Sequence, residues 1–384
     1  MHVMAASGSV VVVGGGIIGA SIAYQLTLRG VTVVTLIERC EVAAAASGKA
    51  GGFLARGWGD GSSTEQLHHV SFDMHEKLAQ TLGVNSYRKL PTMQVAGGKR
   101  RSDNAVPWLD GAVRSCEVMD EGTAQVTPKE LTEKLVEAAV RNGAQLLVGK
   151  TEGVQTEAEG SCTRVTAVVV DGQPVAAERF VFCLGPWTGL LEDWLPGQVL
   201  PMQGVKSTSV VFQHEAGSVA PFALFCGEDR NGCHLEVYPR PNGEVYMCGI
   251  GGSKYLEKAD IVSLAPEDVA SDPKRVAAAK ASFSALSSLG APEVARHQAC
   301  MRPCPPDGLP YMGALPATEN AFIAAGHNCW GILWAPATGL ALAELLTDGK
   351  SDSIDLGAFD PARFGGGGMK AHKRSKGAGR EHVG

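Results

Sequence analysis

The sequence predicts an α/β fold whose second domain is α+β, and three observations lead to this prediction. Residues 10–13 are four consecutive valines, followed by a glycine-rich turn and an apolar helix, which is the order of a parallel βαβ unit. Residues 199–250 instead alternate short strands with Gly, Pro and Asn turns, which is typical of an antiparallel sheet. Residues 320–346 return to strand, glycine turn and helix. A chain of 384 residues, 45% of them hydrophobic, is long enough for two domains.

The first turn carries a dinucleotide-binding fingerprint. Gly14, Gly16 and Gly19 form G-x-G-x-x-G between a strand and a helix, and Glu38 lies at the tip of the next predicted strand. The three glycines provide a tight turn, close approach of a pyrophosphate to the backbone, and close packing of helix on strand. The helix N-terminus offers N–H groups to phosphates, and Glu38 can accept a hydrogen bond from a ribose hydroxyl. The context predicts a Rossmann-like nucleotide site; the alternative is a glycine turn with no ligand.

The remaining elements follow from apolar spacing and turn residues. Glu65–Leu82 is predicted to be an amphipathic helix whose histidines, His68, His69 and His75, lie at the surface. Small residues at 42–55 indicate either close approach of a large ligand or an ordinary alanine-rich helix. Further helices are predicted at 129–142, 273–288 and 335–346, and the prolines at 302–313 predict an irregular loop. Further strands are predicted at 90–96, 145–148, 154–156, 164–170, 179–184, 207–212, 234–238, 244–249, 294–301 and 320–325.

Composition narrows the class of protein. A net charge of −6 gives no indication of a nucleic-acid partner. The ten cysteines show neither CxxC pairs nor the spacing of metal ligands, so we expect free thiols, a reducing compartment, a cytoplasmic location and no metal site. No signal peptide is evident, and the most apolar run, 329–346, is interrupted by polar residues, so we expect no membrane span. Residues 365–384 are predicted to be a disordered basic tail, either a solvated terminus or a segment that docks on an acidic surface.

Five motifs together carry a resemblance to a known family. They are the fingerprint through Glu38, A-S-G-K-A-G-G at 46–52, C-L-G-P-W at 183–187, M-R-P with D-G-L-P at 301–310, and G-H to P-A-T-G at 326–339. In this order they resemble the FAD-dependent D-amino-acid oxidase family, which includes glycine oxidase and sarcosine oxidases, over about residues 8–350. The resemblance implies a discontinuous FAD-binding domain at 8–60, 126–200 and 300–364, and a substrate domain of mixed or antiparallel sheet at 61–125 and 201–299.

The resemblance also implies which residues hold FAD. The implied cofactor-binding residues are Val13, Gly14, Gly16, Ile17, Ile18, Gly19, Glu38, Arg39, Ser47, Gly48, Lys49, Ala50, Gly51, Gly52, Val154, Leu184, Gly185, Trp187, Cys300, Arg302, Gly326, His327, Trp330, Gly331 and Ile332.

Three residues are candidates for catalysis, and a fourth for covalent attachment of the cofactor. Arg302 matches the family arginine that binds a substrate carboxylate, with a structural arginine as the alternative. Tyr238 and Tyr246 lie in the strand region that lines the family's substrate pocket, where each donates a hydroxyl to the carboxylate or only packs. Cys300 matches the position where sarcosine oxidases attach FAD through sulfur; the alternative is a small buried residue.

The implied reaction is oxidation of the C–N bond of a small amino acid or N-alkyl amino acid, with hydride transfer to FAD and O2 as acceptor. Sarcosine oxidases use a lysine above the flavin to activate oxygen, and residues 245–250 contain none; Lys49 and Lys206 are candidates by position only. A dehydrogenase with another electron acceptor therefore stays open, as does a non-catalytic, flavin-stabilised protein that binds a partner. A nicotinamide-only dehydrogenase is disfavoured by the strand, turn and helix at 320–346. The sequence leaves the oligomeric state open.

Overall fold

The computed structural model describes residues 8–99 and 105–365, which form two packed regions on two large sheets. The helices are α1 (Ile17–Leu28), α2 (Ala46–Lys49), α3 (Glu65–Leu82), α4 (Pro128–Arg141), α5 (Leu190–Trp194), α6 (Lys258–Val262), α7 (Pro273–Leu286) and α8 (Gly331–Asp348). The strands are β1 (Ser9–Val13), β2 (Val33–Glu38), β3 (Phe53–Ala55), β4 (Arg88–Lys89), β5 (Thr92–Gly97), β6 (Val113–Asp120), β7 (Thr123–Gln125), β8 (Gln145–Val148), β9 (Thr151–Glu159), β10 (Cys162–Val170), β11 (Gln173–Ala176), β12 (Arg179–Phe182), β13 (Gln203–Gln213), β14 (Ala223–Cys226), β15 (Glu236–Pro239), β16 (Glu244–Cys248), β17 (Lys254–Leu256), β18 (Arg296–Cys304), β19 (Tyr311–Ala314) and β20 (Ala321–Ala325).

The first region is built on a six-stranded sheet in the order β19-β20-β12-β1-β2-β8. Strand β1 lies inside the sheet, parallel to both β12 and β2. One face packs against α1, α4 and α8, and the other against the small sheet β11-β10-β9. Both faces of β1 are therefore covered, which is why its four valines are all buried. The predicted α/β, Rossmann-like architecture is confirmed.

The second region is built on an eight-stranded sheet that runs β17-β13-β16-β15-β14-β5-β6, with β18 also paired to β13. Its pairs are antiparallel except for β14 with β5, so the predicted mixed sheet is confirmed. Helix α7 packs on one face through Ala279 and Phe283. The opposite face, with Tyr238 and Tyr246, turns toward the first region.

The structure differs from the predicted domain boundaries in two places. Strand β18 crosses the predicted boundary at 299/300 and pairs with β13 of the second sheet along its whole length. Arg302 therefore lies in a strand and not in the predicted loop; Pro303 is tolerated there because β18 pairs on one side only. Helix α3, predicted to lie in the substrate domain, packs through Leu67 and Leu78 into the core of the first region.

The predicted surface position is wrong for two of the three histidines on α3. His68 and His75 are buried, because α3 packs against both α8 and the segment at 53–59. His68 Nδ1 lies 2.9 Å from the Ala55 carbonyl oxygen, and His75 Nε2 lies 3.1 Å from that of Leu333. Only His69 remains near the surface.

Two other predictions concern segments at the C-terminal end. Within the described residues, one helical segment, Asn328–Asp348, is long and apolar enough to cross a bilayer, and 67% of its most apolar window is buried in the fold. A helix buried in the core of a protein can be equally long and equally apolar, so length and hydropathy alone do not indicate a membrane span. The predicted basic tail lies outside the described residues, apart from Gly365. All ten cysteines lie in the described part, and none of them is in a disulfide.

Candidate functional site

A cavity of about 1640 Å³ lies between the two regions. Typical small-molecule pockets measure about 300–1,000 Å³, so this one has room for a dinucleotide together with a second small ligand. Its walls come from the fingerprint turn, the loop at 44–53, the turn at 324–332 and the inward face of the second sheet. We call the part around 13–18, 38 and 47 the nucleotide end, and the part around 236, 238, 246, 248 and 302 the substrate end.

The backbone at the nucleotide end is packed too closely for side chains. Gly14 has φ of 114°, and a Cβ there would lie 2.3 Å from the Cys183 carbonyl oxygen. A Cβ on Gly19 would lie 2.0 Å from the Gly14 oxygen, so Gly19 serves the packing of helix on strand and does not line the cavity. This cradle fits the prediction that a pyrophosphate approaches the backbone at the start of α1.

Two side chains fix the polar groups of the nucleotide end. Glu38 Oε2 accepts a hydrogen bond of 2.7 Å from the N–H of Gly15, and its Oε1 accepts one of 3.1 Å from the N–H of Cys40. Ser47 Oγ accepts a 2.9 Å hydrogen bond from the N–H of Ile17 in the first turn of α1. The helix terminus and the tip of β2 are thereby held at one cavity wall.

A second helix N-terminus, that of α8, faces the same cavity. The turn before it places Gly326, His327, Trp330, Gly331 and Ile332 in the wall. Burial lowers the pKa of His327 to about 3, so its ring is neutral. His327 Nε2 lies 3.1 Å from Thr338 Oγ1, whereas its buried Nδ1 has no partner among the described residues. The N-termini of α1 and α8 therefore both line this cavity.

The loop between α2 and β3 forms the seam between the two regions. A Cβ on Gly51 would lie 2.7 Å from the ring of Tyr238 and 3.0 Å from that of Tyr246, so only glycine fits there. The Lys49 carbonyl accepts hydrogen bonds from Tyr246 Oη at 3.1 Å and Gln298 Nε2 at 2.9 Å. Lys49 Nζ instead donates to the Pro266 carbonyl at 3.2 Å.

Four of the predicted cofactor-binding residues do not line the cavity: Gly19, Gly48, Lys49 and Val154. A Cβ on Gly48 would lie 2.1 Å from the Ala43 carbonyl oxygen, so Gly48, like Gly19, serves backbone packing. Val154, which lies on β9, packs into the core, and Lys150, Thr151 and Glu152 line the cavity instead. The structure brings every other predicted site residue into the cavity wall.

Arg302 lies in the wall at the substrate end, partly buried and without a carboxylate partner. Among the described residues no Asp or Glu oxygen lies within 4.0 Å of its guanidinium nitrogens. Its contact with the side chain of Asn328 is a long one, 3.4 Å from Nη1 to Oδ1. An arginine that is desolvated in this way leaves most of its fork free for an anionic ligand.

The two candidate tyrosines are buried in the same wall, with their rings 6.2 Å apart and nearly parallel. Each hydroxyl already donates within the protein: Tyr238 to Glu236 Oε2 at 2.6 Å, and Tyr246 to the Lys49 carbonyl. Burial raises the pKa of both hydroxyls well above the usual value, so both are protonated. Their predicted contact with a substrate carboxylate stays a prediction.

Cys300 lies on β18 and faces the cavity two residues before Arg302. Burial raises the pKa of its thiol, and the nearby charges of Arg302 and Lys49 partly oppose this. The position allows contact with a ligand in the cavity, and the proposed covalent link to FAD stays a prediction.

Sequence reasoning missed several polar side chains that line the cavity in the wall that contains Arg302. Glu236, Cys248, Cys304 and Asn328 all line the cavity, and Cys304 Sγ lies 2.9 Å from Asn328 Oδ1. Glu236 was detectable in principle: it precedes Tyr238 by two residues in a strand, and side chains two apart share a face. Asn328, in a turn with φ of 47°, gives no such signal.

The comparisons with known proteins agree with this architecture. The family described as FAD dependent oxidoreductase (DAO) matches residues 9–345. A putative oxidoreductase of Schizosaccharomyces pombe is 26% identical, covering 93% of this chain and 99% of the relative. A glycine oxidase of Pseudomonas aeruginosa is 28% identical, covering 92% and 98%. The crystal structure of glycine oxidase from Geobacillus kaustophilus superposes with a TM-score of 0.72 at 24% identity, covering 93% of this chain and 99% of that one.

Proposed function

Because this chain belongs to the DAO family of FAD-dependent oxidoreductases, we propose that it oxidises the C–N bond of a small amino acid or N-alkyl amino acid. The substrate gives a hydride from carbon to bound FAD and a proton from nitrogen to solvent and becomes an imine, which water hydrolyses to an oxo acid and ammonia or an amine. We propose that O2 then accepts the two electrons that the substrate has lost and is reduced to H2O2. The similarity to a glycine oxidase supports the substrate class.

Arg302 is the observation that carries this proposal. A desolvated guanidinium with no carboxylate within reach is costly, and a bound carboxylate removes that cost. Two parallel hydrogen bonds from the fork would fix the orientation of the substrate, and therefore the direction of its C–H bond.

FAD, when bound, supplies the hydride acceptor and passes the electrons on. The chain's own residues hold and orient the reactants. The α1 N-terminus, Glu38 and Ser47 would hold the dinucleotide, and the N–H groups at the start of α8 would offer positive dipoles to developing negative charge. The aromatic wall formed by Phe53, Tyr238 and Tyr246 limits water at the substrate end.

A dehydrogenase is the second candidate, and the positions of the lysines favour it. Lys49 Nζ donates to the Pro266 carbonyl, and neither Lys49 nor Lys206 lines the cavity. Lys150, which does, lies beside Thr151 and Glu152 at the wall near β9. With no lysine at the substrate end among the described residues, slow reaction with O2 is the expected signature of this alternative.

The decisive experiment is an anaerobic screen of the purified yellow protein. D-amino acids, glycine, sarcosine and cyclic imino acids are added one at a time, and bleaching of the flavin absorbance is recorded. Air is then admitted: rapid return of colour with H2O2 supports the oxidase, and slow return supports the dehydrogenase. FAD that none of these compounds bleaches would contradict both and favour a non-catalytic, partner-binding protein.

The same preparation tests the link to Cys300. After acid precipitation, a yellow pellet indicates covalent FAD and a yellow supernatant indicates noncovalent FAD. If the link exists, Cys300→Ala moves the colour into the supernatant, whereas Cys248→Ala, a thiol in the same wall, leaves it in the pellet.

A further inference from the structure

The substrate end contains a carboxylate that the proposed reaction has not yet used. Glu236 opens strand β15, and its side chain lies on the inward face of the sheet with that of Tyr238. Its Oε2 accepts hydrogen bonds from Tyr238 Oη at 2.6 Å and from Cys248 Sγ at 3.3 Å. No hydrogen bond within the described residues reaches its Oε1, so half of this carboxylate is available to the cavity.

The groups that hold Glu236 do not neutralise it. Burial, and then the charge of Glu236, raise the pKa values of the Tyr238 hydroxyl and the Cys248 thiol, so both stay protonated and donate. Among the described residues, no Lys, Arg or His nitrogen lies within 4.0 Å of the Glu236 carboxylate. Glu236 is therefore oriented by neutral donors while its charge remains without a cation.

Arg302 carries the opposite charge in the same wall, and it is likewise unpaired. Burial raises the pKa of the Cys248 and Cys329 thiols; the charge of Glu236 adds to this and the charge of Arg302 opposes it, so both charges act on the same two thiols. Yet Arg302 and Glu236 form no ion pair with each other. Two opposite charges that are held apart in one cavity wall are complementary to a ligand that carries both a carboxylate and a cation.

We propose that Glu236 binds the cationic nitrogen of the substrate while Arg302 binds its carboxylate, so that the site selects dipolar ions. This inference rests on the proposed function and deepens it, because it assigns a residue that recognises the nitrogen of the substrate. A hydrogen bond from a substrate ammonium to Glu236 Oε1 adds to the two bonds from the neutral donors Tyr238 and Cys248, which already orient the carboxylate.

Other acids in the wall are less suited to this role. Glu38 is engaged by two backbone N–H groups at the nucleotide end, and Glu228 is exposed to solvent, which screens its charge. Of these three, only Glu236 is both held by hydrogen bonds from the protein and placed at the substrate end with Arg302.

Pairs of ligands that differ only in charge test the inference. Glycine, β-alanine and 4-aminobutanoate are paired with propionate, butanoate and pentanoate, in which a methyl group replaces the ammonium. Kd values for the FAD-bound protein are measured anaerobically from the perturbation of the flavin spectrum, with flavin reduction recorded separately. We expect the dipolar member of at least one pair to bind tenfold or more tightly, and the pair with the largest ratio reports the spacing between Glu236 and Arg302.

Three variants complete the experiment. Glu236→Gln should reduce that ratio to near unity, since the amide keeps the hydrogen bond from Tyr238 but has no charge. Glu236→Asp should restore part of it. Glu228→Gln, a neutralisation at an exposed position of the same wall, should change it less than twofold.

Two results would overturn the assignment of Glu236. One is a wild-type protein with no preference for the dipolar member in any pair, whether both members bind alike or neither binds. The other is a preference that Glu236→Gln leaves intact. Failure of the proposed function looks different, because it is a failure of every amine to reduce the flavin even where the dipolar ligands bind preferentially.

Discussion

At the nucleotide end of the cavity the backbone does most of the positioning, whereas at the substrate end side chains from several strands do it. Gly14 and Gly19 are required because carbonyl oxygens lie where their side chains would be. Glu236 and Arg302 instead come from β15 and β18, which are separated in the sheet by β13 and β16. A backbone turn of fixed shape binds one class of ligand, whereas single substitutions can change the ligand specificity of a site that is built from side chains.

The largest effect is expected at the backbone end. Gly14→Ala places a Cβ about 2.3 Å from the Cys183 oxygen at a φ of 114°, and relieving this clash should cost about 3 kcal/mol or more. We expect a colourless or unfolded protein, read from the flavin-to-protein absorbance ratio and the Tm. Gly153→Ala is the matched control, because nothing lies within 4 Å of its new Cβ. Full retention of FAD by Gly14→Ala would contradict the view that the backbone positions the ligand at the nucleotide end.

The next effect is expected at Arg302 and should leave FAD content unchanged. Arg302→Lys keeps the charge but loses the planar fork, so we expect carboxylate ligands to bind about 10- to 100-fold more weakly, or about 1.4–3 kcal/mol. Kd and KM for the best substrate of the anaerobic screen provide the measurement. Arg296→Lys, on the same strand but exposed and paired with Glu244, should change neither by more than about twofold. Unaltered affinity in Arg302→Lys would remove this residue from the site.

A pH effect is expected in the core between α3 and the start of α8. Burial lowers the pKa of His75 to about 4, against about 6.5 in an unfolded chain, so the unfolded state binds more protons between these values. The free energy of unfolding should be fully retained above pH 6.5 and should fall by up to about 3 kcal/mol as the pH approaches 4.

Denaturant unfolding of wild type and His75→Gln at several pH values measures this difference. The variant should lose less stability between pH 6.5 and 4, because one titrating group is gone. His69→Gln, on the same helix but near the surface, provides the control. Parallel pH curves for wild type and His75→Gln would show that His75 is not the group responsible.

The smallest effects separate the two stacked tyrosines. Tyr246→Phe removes one of two hydrogen bonds to the Lys49 carbonyl, so we expect about 1 kcal/mol of stability to be lost and KM to change less than twofold. Tyr238→Phe removes a donor to Glu236, and we expect KM to rise about fivefold. Equal effects of the two substitutions on KM would mean that Glu236 is not the link between Tyr238 and the substrate.

The same contrast explains how much the sequence could predict. The fingerprint is local in the chain, so Gly14 and Glu38 could be assigned to a nucleotide site from residue type and spacing, whereas Ser47 was implied only by the family resemblance. The position of Arg302 in a strand could not, because Pro303 indicates a loop unless the strand is known to lie at an edge. The burial of His68 and His75 was also beyond reach, since it depends on α8, a helix distant in sequence that covers their side of α3.

The contribution of Glu236 was only partly visible, because strand alternation places it on the face of Tyr238 but does not link it to Cys248 or Arg302. In the chain it is one acid in a short strand, and only the pairing of β15 with β16 brings it to Cys248. The opposing charge on β18 enters the same cavity wall through two further strand pairings. Sites assembled across a sheet have no fixed spacing in the sequence, so a local pattern cannot reveal them.

The long ladder between β13 and β18 has a mechanical consequence. It runs from the pair Gln203 and Cys304 to the pair Val211 and Arg296 without a shift in register. If the two layers rock against each other during turnover, Arg302 must travel with the antiparallel layer and carry its bound ligand along. The reach of hydride transfer would then be set by the angle between the layers, and a side chain at Gly51, which lies against the rings of Tyr238 and Tyr246, would change that angle.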